Sequence, residues 1–342
     1  MVKFCPLISI CIFTYNRANY IKETIESVLE QSYDNYEIVI VNDGSTDETE
    51  DVIKSIITKK IRYFKKEHTN APDTRNRALK EAKGDYILWL GDDDLLHKDI
   101  LQIYVDTLIK FPDVDICYCN LLAFNEHKGI LRQFVYRDWY NDQANLQAFL
   151  LIGQPIPDGS TIINRRVYDV IGEFNIEFNR AQDYEFYTRV VLSGKFQFKY
   201  VDEFLVKYRI HEKNITLNLS GQINYCYEAK ILKSLLEKNP LQIFFPSLDW
   251  ESDTKHSLSE AYYGIGIKYF NYAAYPESLF YLISSLRFNP LLDRLKHIIE
   301  SFIQFGLIKE IKILLYFTKD LFNEAEELDE IIKLLENYNI EK

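Results

Sequence analysis

The chain has 342 residues, a net charge of -11, abundant Tyr and Phe (25 and 22) and a single Met. This acidity argues against a nucleic-acid partner, which binds basic surfaces, and against attachment to an anionic membrane through bulk charge. The length is sufficient for two domains, each with its own core.

The cysteines form an odd set of five that lies mostly inside apolar runs: Cys5, Cys11, Cys117, Cys119 and Cys226. This pattern is typical of reduced core cysteines rather than of a disulfide framework. The first residues lead directly into a predicted strand without a basic, apolar leader, and no apolar run reaches about 18 residues. We therefore expect no signal peptide, no transmembrane segment and a cytoplasmic protein, either free or peripheral at the inner face of the membrane.

Strand and helix patterns alternate through the first hundred residues. Short apolar runs predict strands at 7–13, 36–41, 61–64 and 85–90. Amphipathic spacing predicts helices at 19–31, 46–57 and 74–82, with Ser45 or Thr46 as the cap of the second helix. This alternation predicts a parallel sheet covered by helices. A less regular part follows, with predicted strands at 116–124, 159–164 and 196–208 and a helix at 184–192.

Beyond about Asn214 the pattern becomes helical, so we predict an α/β domain over 1–214 and an all-α domain over 215–342. One set of residues in the second domain falls at the spacing of a tetratricopeptide repeat: Tyr262, Ile265, Gly266, Tyr269, Ser278, Leu282, Ser285 and Pro290. A plain helical hairpin explains that spacing equally well. The apolar segment 302–322 contains Lys309, Glu310 and Lys312, which predicts an amphipathic rather than a membrane-spanning helix.

Three aspartates, Asp92, Asp93 and Asp94, follow the buried strand pattern at 85–90. The carboxyl end of a strand is where an open α/β sheet places its ligand site. Three like charges repel one another, and a divalent cation that is also chelated by phosphate oxygens would balance them. Hard oxygen ligands favour Mg²⁺ or Mn²⁺. The alternative is an acidic turn that caps a helix starting near His97.

Two further polar turns leave the carboxyl ends of the first two strands, at 14–17 and 42–47. An aromatic ring such as Tyr15 can stack on a base, and a carboxylate such as Asp43 can accept from an imide or amide N–H. Each turn alone is common, but three on one sheet edge favour a nucleotide site. The chain has no Gly-rich lysine loop and no G-x-G-x-x-G, so a diphosphate here would need a metal. Asp158-Gly159 predicts a simple turn.

The set resembles the family 2 glycosyltransferases, enzymes of the GT-A fold. The likeness covers roughly residues 6–212. It rests on Phe13-Thr-Tyr-Asn-Arg17, Val41-Asn-Asp-Gly-Ser-Thr-Asp47, Thr74-Arg-Asn-Arg-Ala78, the run from Lys83 to Asp94, Ile171-Gly-Glu-Phe-Asn175, Gln182-Asp-Tyr-Glu-Phe186 with Arg189, and Tyr208-Arg-Ile-His211. The resemblance implies a Rossmann-like GT-A domain with a mainly parallel central sheet that binds a nucleotide-sugar.

The resemblance also implies roles for single residues. Tyr15 would stack on the base, Asp43 would hydrogen-bond it, and Arg75 would lie near the base or Asp43. The other expected contacts of the nucleotide-sugar are Thr14, Asn16, Arg17 and Asp92, the last through the ribose.

The remaining roles concern the metal and the chemistry. Asp93 would bind the metal that bridges the diphosphate, His211 would be a further metal or phosphate contact, and Asp183 would be the catalytic base. The family cluster reads Asp-any-Asp-Asp, whereas Gly91 stands in place of the first Asp here. This departure leaves Asp92 and Asp93 to share the ribose and metal roles. The simpler alternatives are an ordinary helix-terminal acid for Asp183 and a solvent-facing loop histidine for His211.

The sequence is therefore interpreted as an inverting, Mn²⁺- or Mg²⁺-dependent glycosyltransferase. The expected donor is a UDP-sugar, with dTDP-sugars as the alternative, and the acceptor is a hydroxyl of a glycan, a lipid-linked sugar or a protein. A catalytically inactive interaction protein acting through its helical domain is the first rival, although the intact Asp43, Asp92, Asp93 and Asp183 argue against it. A nucleotide-sugar hydrolase or pyrophosphorylase is the second rival. The surplus of aromatic residues after Asn214 predicts a homodimer through that region, and a membrane or an acceptor protein would cover the same surface.

Overall fold

The computed structural model describes residues 4–151, 153–212, 214, 222–318, 321 and 333–335, with the side chains of 222–226 left undescribed. The chain divides into two compact units, Met1–Leu219 and Ser220–Lys342. The boundary predicted near Asn214 stays a prediction, since residues 215–221 lie outside the described part of the chain.

The first unit is built on a nine-stranded mixed sheet. The strands are β1 (Ile8–Thr14), β2 (Tyr36–Asn42), β3 (Ile61–Lys65), β4 (Tyr86–Leu90), β5 (Leu95–Leu96), β6 (Val114–Asn125), β7 (Gly129–Phe134), β8 (Ile162–Asn164) and β9 (Gln197–Arg209). Their order is β3-β2-β1-β4-β8-β6-β9-β5, with β7 on β6. The pairs among β3, β2, β1 and β4 are parallel, as is β6 with β9, whereas β5, β7 and β8 pair antiparallel.

Helices of the first unit pack against this sheet. They are α1 (Ile21–Leu29), α2 (Thr49–Ser55), α3 (Ala71–Glu81), α4 (Ile100–Lys110), α5 (Gln143–Phe149), α6 (Arg165–Ile171) and α7 (Gln182–Ser193). The apolar side of β1 shares a core with one face of α1, which contributes Ile21, Ile25 and Val28. The predicted β-α-β-α alternation is therefore present, and it brings the ends of β1, β2 and β4 to one edge of the sheet.

Two helices begin at residues other than those predicted, for local reasons. The cap predicted at Ser45 or Thr46 is wrong, because α2 begins at Thr49, whose N–H donates to the Asp47 carboxylate over 3.0 Å. Helix α3 begins at Ala71 rather than Thr74, because the Asn70 side chain accepts the Asp73 N–H over 2.9 Å and acts as the cap.

The second unit is helical in the residues described. Its helices are α8 (Gln222–Lys238), α9 (Thr254–Asn271), α10 (Tyr275–Phe288), α11 (Leu292–Gln304) and α12 (Ile308–Thr318). Helices α9 and α10 meet at small residues: the Ser278 hydroxyl donates to the Gly266 carbonyl over 2.8 Å, and a Cβ on Gly266 would lie 2.6 Å from Leu282 Cγ. This contact fits the predicted helix pair, and its assignment to a tetratricopeptide repeat stays a prediction.

The apolar segment predicted at 302–322 is interrupted. Helix α11 ends at Gln304, and Gly306 takes a φ of 68° before α12 begins at Ile308. Residues 319, 320 and 322 lie outside the described part of the chain. Over the described residues, no helix has both the length and the apolar composition needed to cross a membrane.

Candidate active site

The acidic turn Gly91-Asp92-Asp93-Asp94 lies between β4 and β5 and is held by the last residue of β9. The Arg209 N–H donates to Asp94 Oδ1 over 2.9 Å, and Arg209 Nε donates to the Asp93 carbonyl over 2.8 Å. The Arg209 guanidinium is buried, and it also pairs with Glu23 and Glu126. Because α4 begins at Ile100 with Asp99 before it, the alternative that these carboxylates cap a helix is wrong.

Gly91 has a steric reason in this turn. A Cβ at position 91 would lie 2.7 Å from Asp94 Oδ2 and 3.1 Å from Asp93 Oδ1. An aspartate at position 91 would therefore crowd the carboxylates of Asp93 and Asp94. The departure from the family pattern at Gly91 is built into the packing of the turn.

The positive side chains near the acidic turn do not hold the carboxyl pKa values of Asp92 and Asp94 in their usual range. Arg17 Nε lies 3.4 Å from Asp92 Oδ1 and 3.8 Å from Asp93 Oδ2. Burial, followed by repulsion from Asp93, raises the pKa of the Asp92 carboxyl, and Arg17 opposes this rise. Burial and Asp93 likewise raise the pKa of Asp94, against the Arg209 N–H. Burial is the main cause of both shifts, and a cation bound at the turn would stabilise the ionised carboxylates.

His211 lies against this turn. Its Nε2 is 2.9 Å from Asp93 Oδ2, and its ring stacks on Tyr20 with centroids 4.5 Å apart. The His211 side chain is 9% exposed, so the alternative of a solvent-facing loop histidine is wrong. The structure thus brings the two predicted metal ligands together. Among the described residues, no group of three or more His, Cys, Asp or Glu side chains is arranged to hold a metal ion.

The turns after β1 and β2 are tied to each other. Asn16, with a φ of 55°, donates its N–H to the Ser45 hydroxyl over 2.9 Å, and its side-chain oxygen accepts the Thr46 N–H over 2.8 Å. The Arg17 N–H donates to Thr49 Oγ1 over 2.8 Å. Thr14 is buried at the end of β1, beside the Asp92 carboxyl. These contacts fix the turns that carry Tyr15 and Asp43.

Asp43 and Tyr15 both contact the loop that follows β3. Asp43 Oδ1 accepts Lys66 Nζ over 2.7 Å and the Thr69 N–H over 3.1 Å. The Tyr15 ring stacks on His68. Lys66, His68 and Thr69 were not identified from the sequence, because they follow β3 in a polar loop without a recognisable motif.

Arg75 is a buried arginine whose partner is Asp158 rather than Asp43. It is 1% exposed, and its Nη2 lies 2.9 and 2.7 Å from Asp158 Oδ1 and Oδ2. Its guanidinium lies 4.4 Å from the Trp89 ring centroid and 4.1 Å from that of Phe174. Asp43 has other partners, and the predicted contact of Arg75 with a base stays a prediction. Asp158, expected to form a simple turn, is the anionic partner of this buried arginine.

Asp183 lies in the first turn of α7, after Ala181 with its left-handed φ of 54°. Burial, followed by repulsion from Asp158, raises the pKa of the Asp183 carboxyl, whereas Arg75 and backbone N–H groups lower it. Asp158 and Asp183 therefore share the charge of Arg75. The alternative of an ordinary helix-terminal acid explains the position of Asp183 in α7 but not its place on the wall of a cavity.

A cavity of about 470 Å³ joins these groups. Its polar wall contains Arg17, Asp92, Asp93, Asp94, Asp158 and Asp183. The lining also contains apolar and aromatic residues, here called the apolar wall: Leu121, Phe134, Tyr136, Ile156, Val206 and Tyr208. Tyr15 and Asp43 lie outside this lining, at the ends of β1 and β2. The arrangement offers a planar-ring site, an acidic turn and a buried carboxylate along one edge of the sheet.

Sequence comparison assigns this arrangement to a class of enzymes. Residues 9–171 match the model of Glycosyl transferase family 2. An uncharacterized glycosyltransferase of Rickettsia typhi is 32% identical over 246 residues, which are 70% of this chain and 76% of that protein. One of Rickettsia felis is 33% identical over 227 residues, which are 65% of this chain but 37% of that protein. The chain belongs to the family 2 glycosyltransferases.

Solved structures with the same fold have low sequence identity. S. aureus TarS 1-349, crystallised in complex with UDP-GlcNAc, matches with a TM-score of 0.58 at 18% identity, over 97% of this chain and 91% of that chain. The mannosyltransferase PcManGT from Pyrobaculum calidifontis, in complex with GDP-Man and Mn²⁺, matches with a TM-score of 0.56 at 16% identity, over 93% and 86%. These matches confirm the predicted GT-A fold with its helical C-terminal region.

The Arg75–Asp158 pair yields a prediction about stability. Asp158→Ala leaves a buried guanidinium without its carboxylate, and breaking a buried ion pair on one side lowers the free energy of unfolding by about 3 kcal/mol. Urea denaturation followed by circular dichroism measures the loss. Asp169→Ala, on the exposed side of α6, is the matched control and should change stability by less than about 0.5 kcal/mol. Equal stability of the two variants would contradict the structural role of the pair.

Proposed function

We propose that the chain transfers a sugar from a UDP-sugar to a hydroxyl of an acceptor, with inversion at the anomeric carbon. The observation that carries this proposal is the convergence of Arg17, the acidic turn and Asp183 on one cavity. Tyr15 and Asp43 lie at the adjacent strand ends, where a nucleoside would extend from that cavity. Each part of a nucleotide-sugar thus has a chemically matched group along the sheet edge.

The nucleoside is assigned to the turns after β1 and β2. The Tyr15 ring offers a face for stacking, and Asp43 offers carboxylate oxygens to an imide N–H such as that of uracil. Asp92 would accept from the ribose hydroxyls. The UDP-GlcNAc complex of TarS supports a uridine donor, while the GDP-Man complex of PcManGT shows that this fold also accepts another base.

The diphosphate is assigned to Arg17, Asp93 and His211. The paired Asp93 Oδ2 and His211 Nε2 and the excess negative charge of the turn fit a divalent cation, which in such sites takes few protein ligands and completes its shell with phosphate and water. Mn²⁺ or Mg²⁺ held there would stabilise the charge on the departing diphosphate. Arg17 would contact a phosphate oxygen directly through its guanidinium. Mn²⁺ in the PcManGT complex supports this assignment.

Asp183 is the proposed general base. The acceptor oxygen attacks the anomeric carbon, its proton passes to Asp183, and the carbon–oxygen bond to the diphosphate breaks with its electron pair. One such displacement inverts the configuration. Asp158 is a weaker candidate because Arg75 Nη2 already donates to both of its oxygens, whereas the raised pKa of Asp183 favours proton uptake.

The acceptor is proposed to enter along the apolar wall. Aromatic side chains such as Phe134, Tyr136 and Tyr208 offer faces for a sugar ring or for the apolar part of a lipid-linked sugar. A glycan, a lipid-linked sugar and a protein glycosylation site all present the hydroxyl that this chemistry needs. The rival of an inactive interaction protein is disfavoured because Asp93, Asp183 and His211 retain an ordered arrangement.

Metal dependence is the first test of this proposal. Asp93→Ala removes a carboxylate that would bind the cation, so UDP affinity in Mn²⁺ should fall at least about tenfold while the metal-free affinity changes little. Isothermal titration calorimetry with Mn²⁺ and with chelator measures both values. Asp106→Ala, on the exposed side of α4, is the control. Equal UDP affinity of the wild-type chain in Mn²⁺ and in chelator would exclude the metal role.

The catalytic base is the second test. Asp183→Asn keeps the size of the side chain but removes the proton acceptor, so transfer should slow by at least about a hundredfold at unchanged donor affinity. Donor consumption and UDP release, measured with the donor and acceptor found by screening, report the rate. Near-normal transfer by Asp183→Asn would assign the base to another residue.

A pH profile separates this role from a general loss of structure. Asp183 acts when ionised, so the rate should rise with pH through its pKa. Asp158→Asn removes the neighbouring charge that raises this pKa and keeps an oxygen for Arg75, so the rising limb should move to lower pH. A shift to higher pH would contradict the assignment.

The homodimer is a separate proposal for the second unit. Phe280 and Phe317 are 63% and 49% exposed, which is unusual for phenylalanine and favours a covered surface in solution. We expect a dimer at micromolar concentration by light scattering and a monomer for Phe280→Asp with Phe317→Asp. Ile130→Asp, on the exposed β7 of the first unit, is the control. A monomeric wild-type chain would reject the dimer and leave the surface for an acceptor, a partner or lipid.

A further inference from the structure

His68 makes two contacts that have no role in the chemistry assigned so far. Its ring stacks on Tyr15, with centroids 4.1 Å apart and planes inclined by 20°. Its Nδ1 lies 2.8 Å from Asp43 Oδ2 and 3.1 Å from the Asp43 carbonyl oxygen. An imidazole ring therefore rests on the aromatic face and reaches the carboxylate that are proposed to bind the base.

The hydrogen-bond partners of His68 Nδ1 determine whether this nitrogen carries a hydrogen. A backbone carbonyl oxygen accepts hydrogen bonds and cannot donate, and an ionised carboxylate has the same property. Nδ1 therefore carries a hydrogen and donates it towards Asp43. His68 presents a flat heteroaromatic ring with a ring N–H, which is also what a uracil base would present to Tyr15 and Asp43.

We propose that His68 occupies the base subsite when no nucleotide is bound and that the base of the donor displaces it. This inference rests on the proposed function, because it takes Tyr15 and Asp43 as the groups that bind the base. His68 then sets donor affinity by competition, although it takes no part in the transfer reaction.

The base and the imidazole cannot both stack on the same face of Tyr15 in the present arrangement. A ring inserted between two others stands about 3.5 Å from each, which separates the outer rings by about 7 Å. The two ring centroids here are 4.1 Å apart. A base that stacks on this face of Tyr15 and reaches Asp43 Oδ2 therefore has to replace the His68 ring rather than slide between the two rings.

The surroundings allow the side chain to leave while the backbone stays. A Cβ on Gly44, which has a φ of 74°, would lie 2.8 Å from the His68 backbone nitrogen, so the loop packs closely against this glycine. The His68 side chain is 53% exposed and can rotate into solvent. When His68 leaves Oδ2, Asp43 Oδ1 keeps Lys66, and the Thr69 N–H still reaches Oδ1 over 3.1 Å and Oδ2 over 3.3 Å. Displacement of His68 thus makes Asp43 Oδ2 available to a base, while the loop keeps its other contacts with Asp43.

The contacts of the His68 ring also indicate which bases can take its place. Uracil, thymine and guanine have a ring N–H beside a carbonyl group, and each could replace the Nδ1–H of His68 at Asp43 Oδ2. Cytosine and adenine have an acceptor nitrogen at the corresponding edge, which would face the carboxylate lone pairs. UDP, dTDP and GDP should therefore bind more tightly than CDP and ADP.

The test is the affinity of UDP in Mn²⁺ for three chains, measured by isothermal titration calorimetry. His68→Ala removes the competitor and should lower the Kd of UDP by about fivefold, because apparent affinity scales with the fraction of molecules whose site is open. Glu67→Ala, an exposed neighbour in the same loop, is the control and should leave the Kd unchanged. An unchanged or higher Kd for His68→Ala would overturn the proposal, since a ring that helps to enclose the base would weaken binding when removed.

A second measurement observes the ring itself. In ¹⁵N-histidine-labelled protein, assigned through the His68→Ala spectrum, saturation with UDP should shift the His68 ring resonances to those of a solvent-exposed imidazole. Retention of the Nδ1–H···Asp43 signature in the UDP complex would overturn the displacement. If neither the wild-type chain nor His68→Ala binds any nucleoside diphosphate in Mn²⁺, the proposed function fails as well. UDP binding with equal Kd values rejects the role of His68 alone.

Discussion

Three carboxylates in succession repel one another, and the arrangement of the site depends on how Arg209 holds them. Through its N–H and Nε, the last residue of β9 fixes Asp94 and the Asp93 backbone, while Gly91 leaves room for both side chains. His211 follows two residues later and therefore meets Asp93. The antiparallel pairing of β5 with β9 places this arginine at the acidic turn. The buried Arg209 side chain thus positions the acidic turn next to His211, and Asp93 and His211 are the proposed metal ligands.

Arg75 is a second buried arginine that holds a carboxylate, in the part of the cavity lined by Asp158 and Asp183. A buried ion pair adds little net stability compared with apolar residues of similar size, because desolvation offsets the attraction. What the Arg75–Asp158 pair does provide is a fixed carboxylate on the cavity wall and a positive charge near Asp183. Trp89 and Phe174 pack edge to face, with ring centroids 5.4 Å apart, and both contact the guanidinium, which limits its movement. The positive charge of Arg75 therefore stays close to Asp183, the proposed base, and lowers the pKa of its carboxyl.

Local patterns predicted much of this molecule. Apolar runs located β1 to β4, and the polar turns after them placed Tyr15, Asp43 and the acidic turn at one edge of the sheet, because parallel strands bring their carboxyl ends together. The Arg75–Asp158 pair could not be predicted, since its members lie 83 positions apart and a Pro-Asp-Gly turn has no distinguishing pattern. The position of β8 between β4 and β6 could not be predicted either, because the three residues of this strand carry no pattern that specifies its neighbours in the sheet. Helix α2 begins later than predicted because the Asp47 carboxylate accepts the N–H of Thr49, the first residue of the helix.

The parts of the site around Tyr15 and around Asp183 differ in what can move. Side-chain and backbone contacts among Asn16, Ser45 and Thr46 join the turns after β1 and β2, so Tyr15 and Asp43 are held by the sheet itself. His68 reaches the same place from a loop and with a half-exposed side chain. A change at this position can alter how tightly the nucleotide is held, while Asp93 and Asp183 stay fixed by Arg209 and α7. In the proposed function, the contacts of the base and the general base Asp183 thus lie on separate elements of one sheet edge.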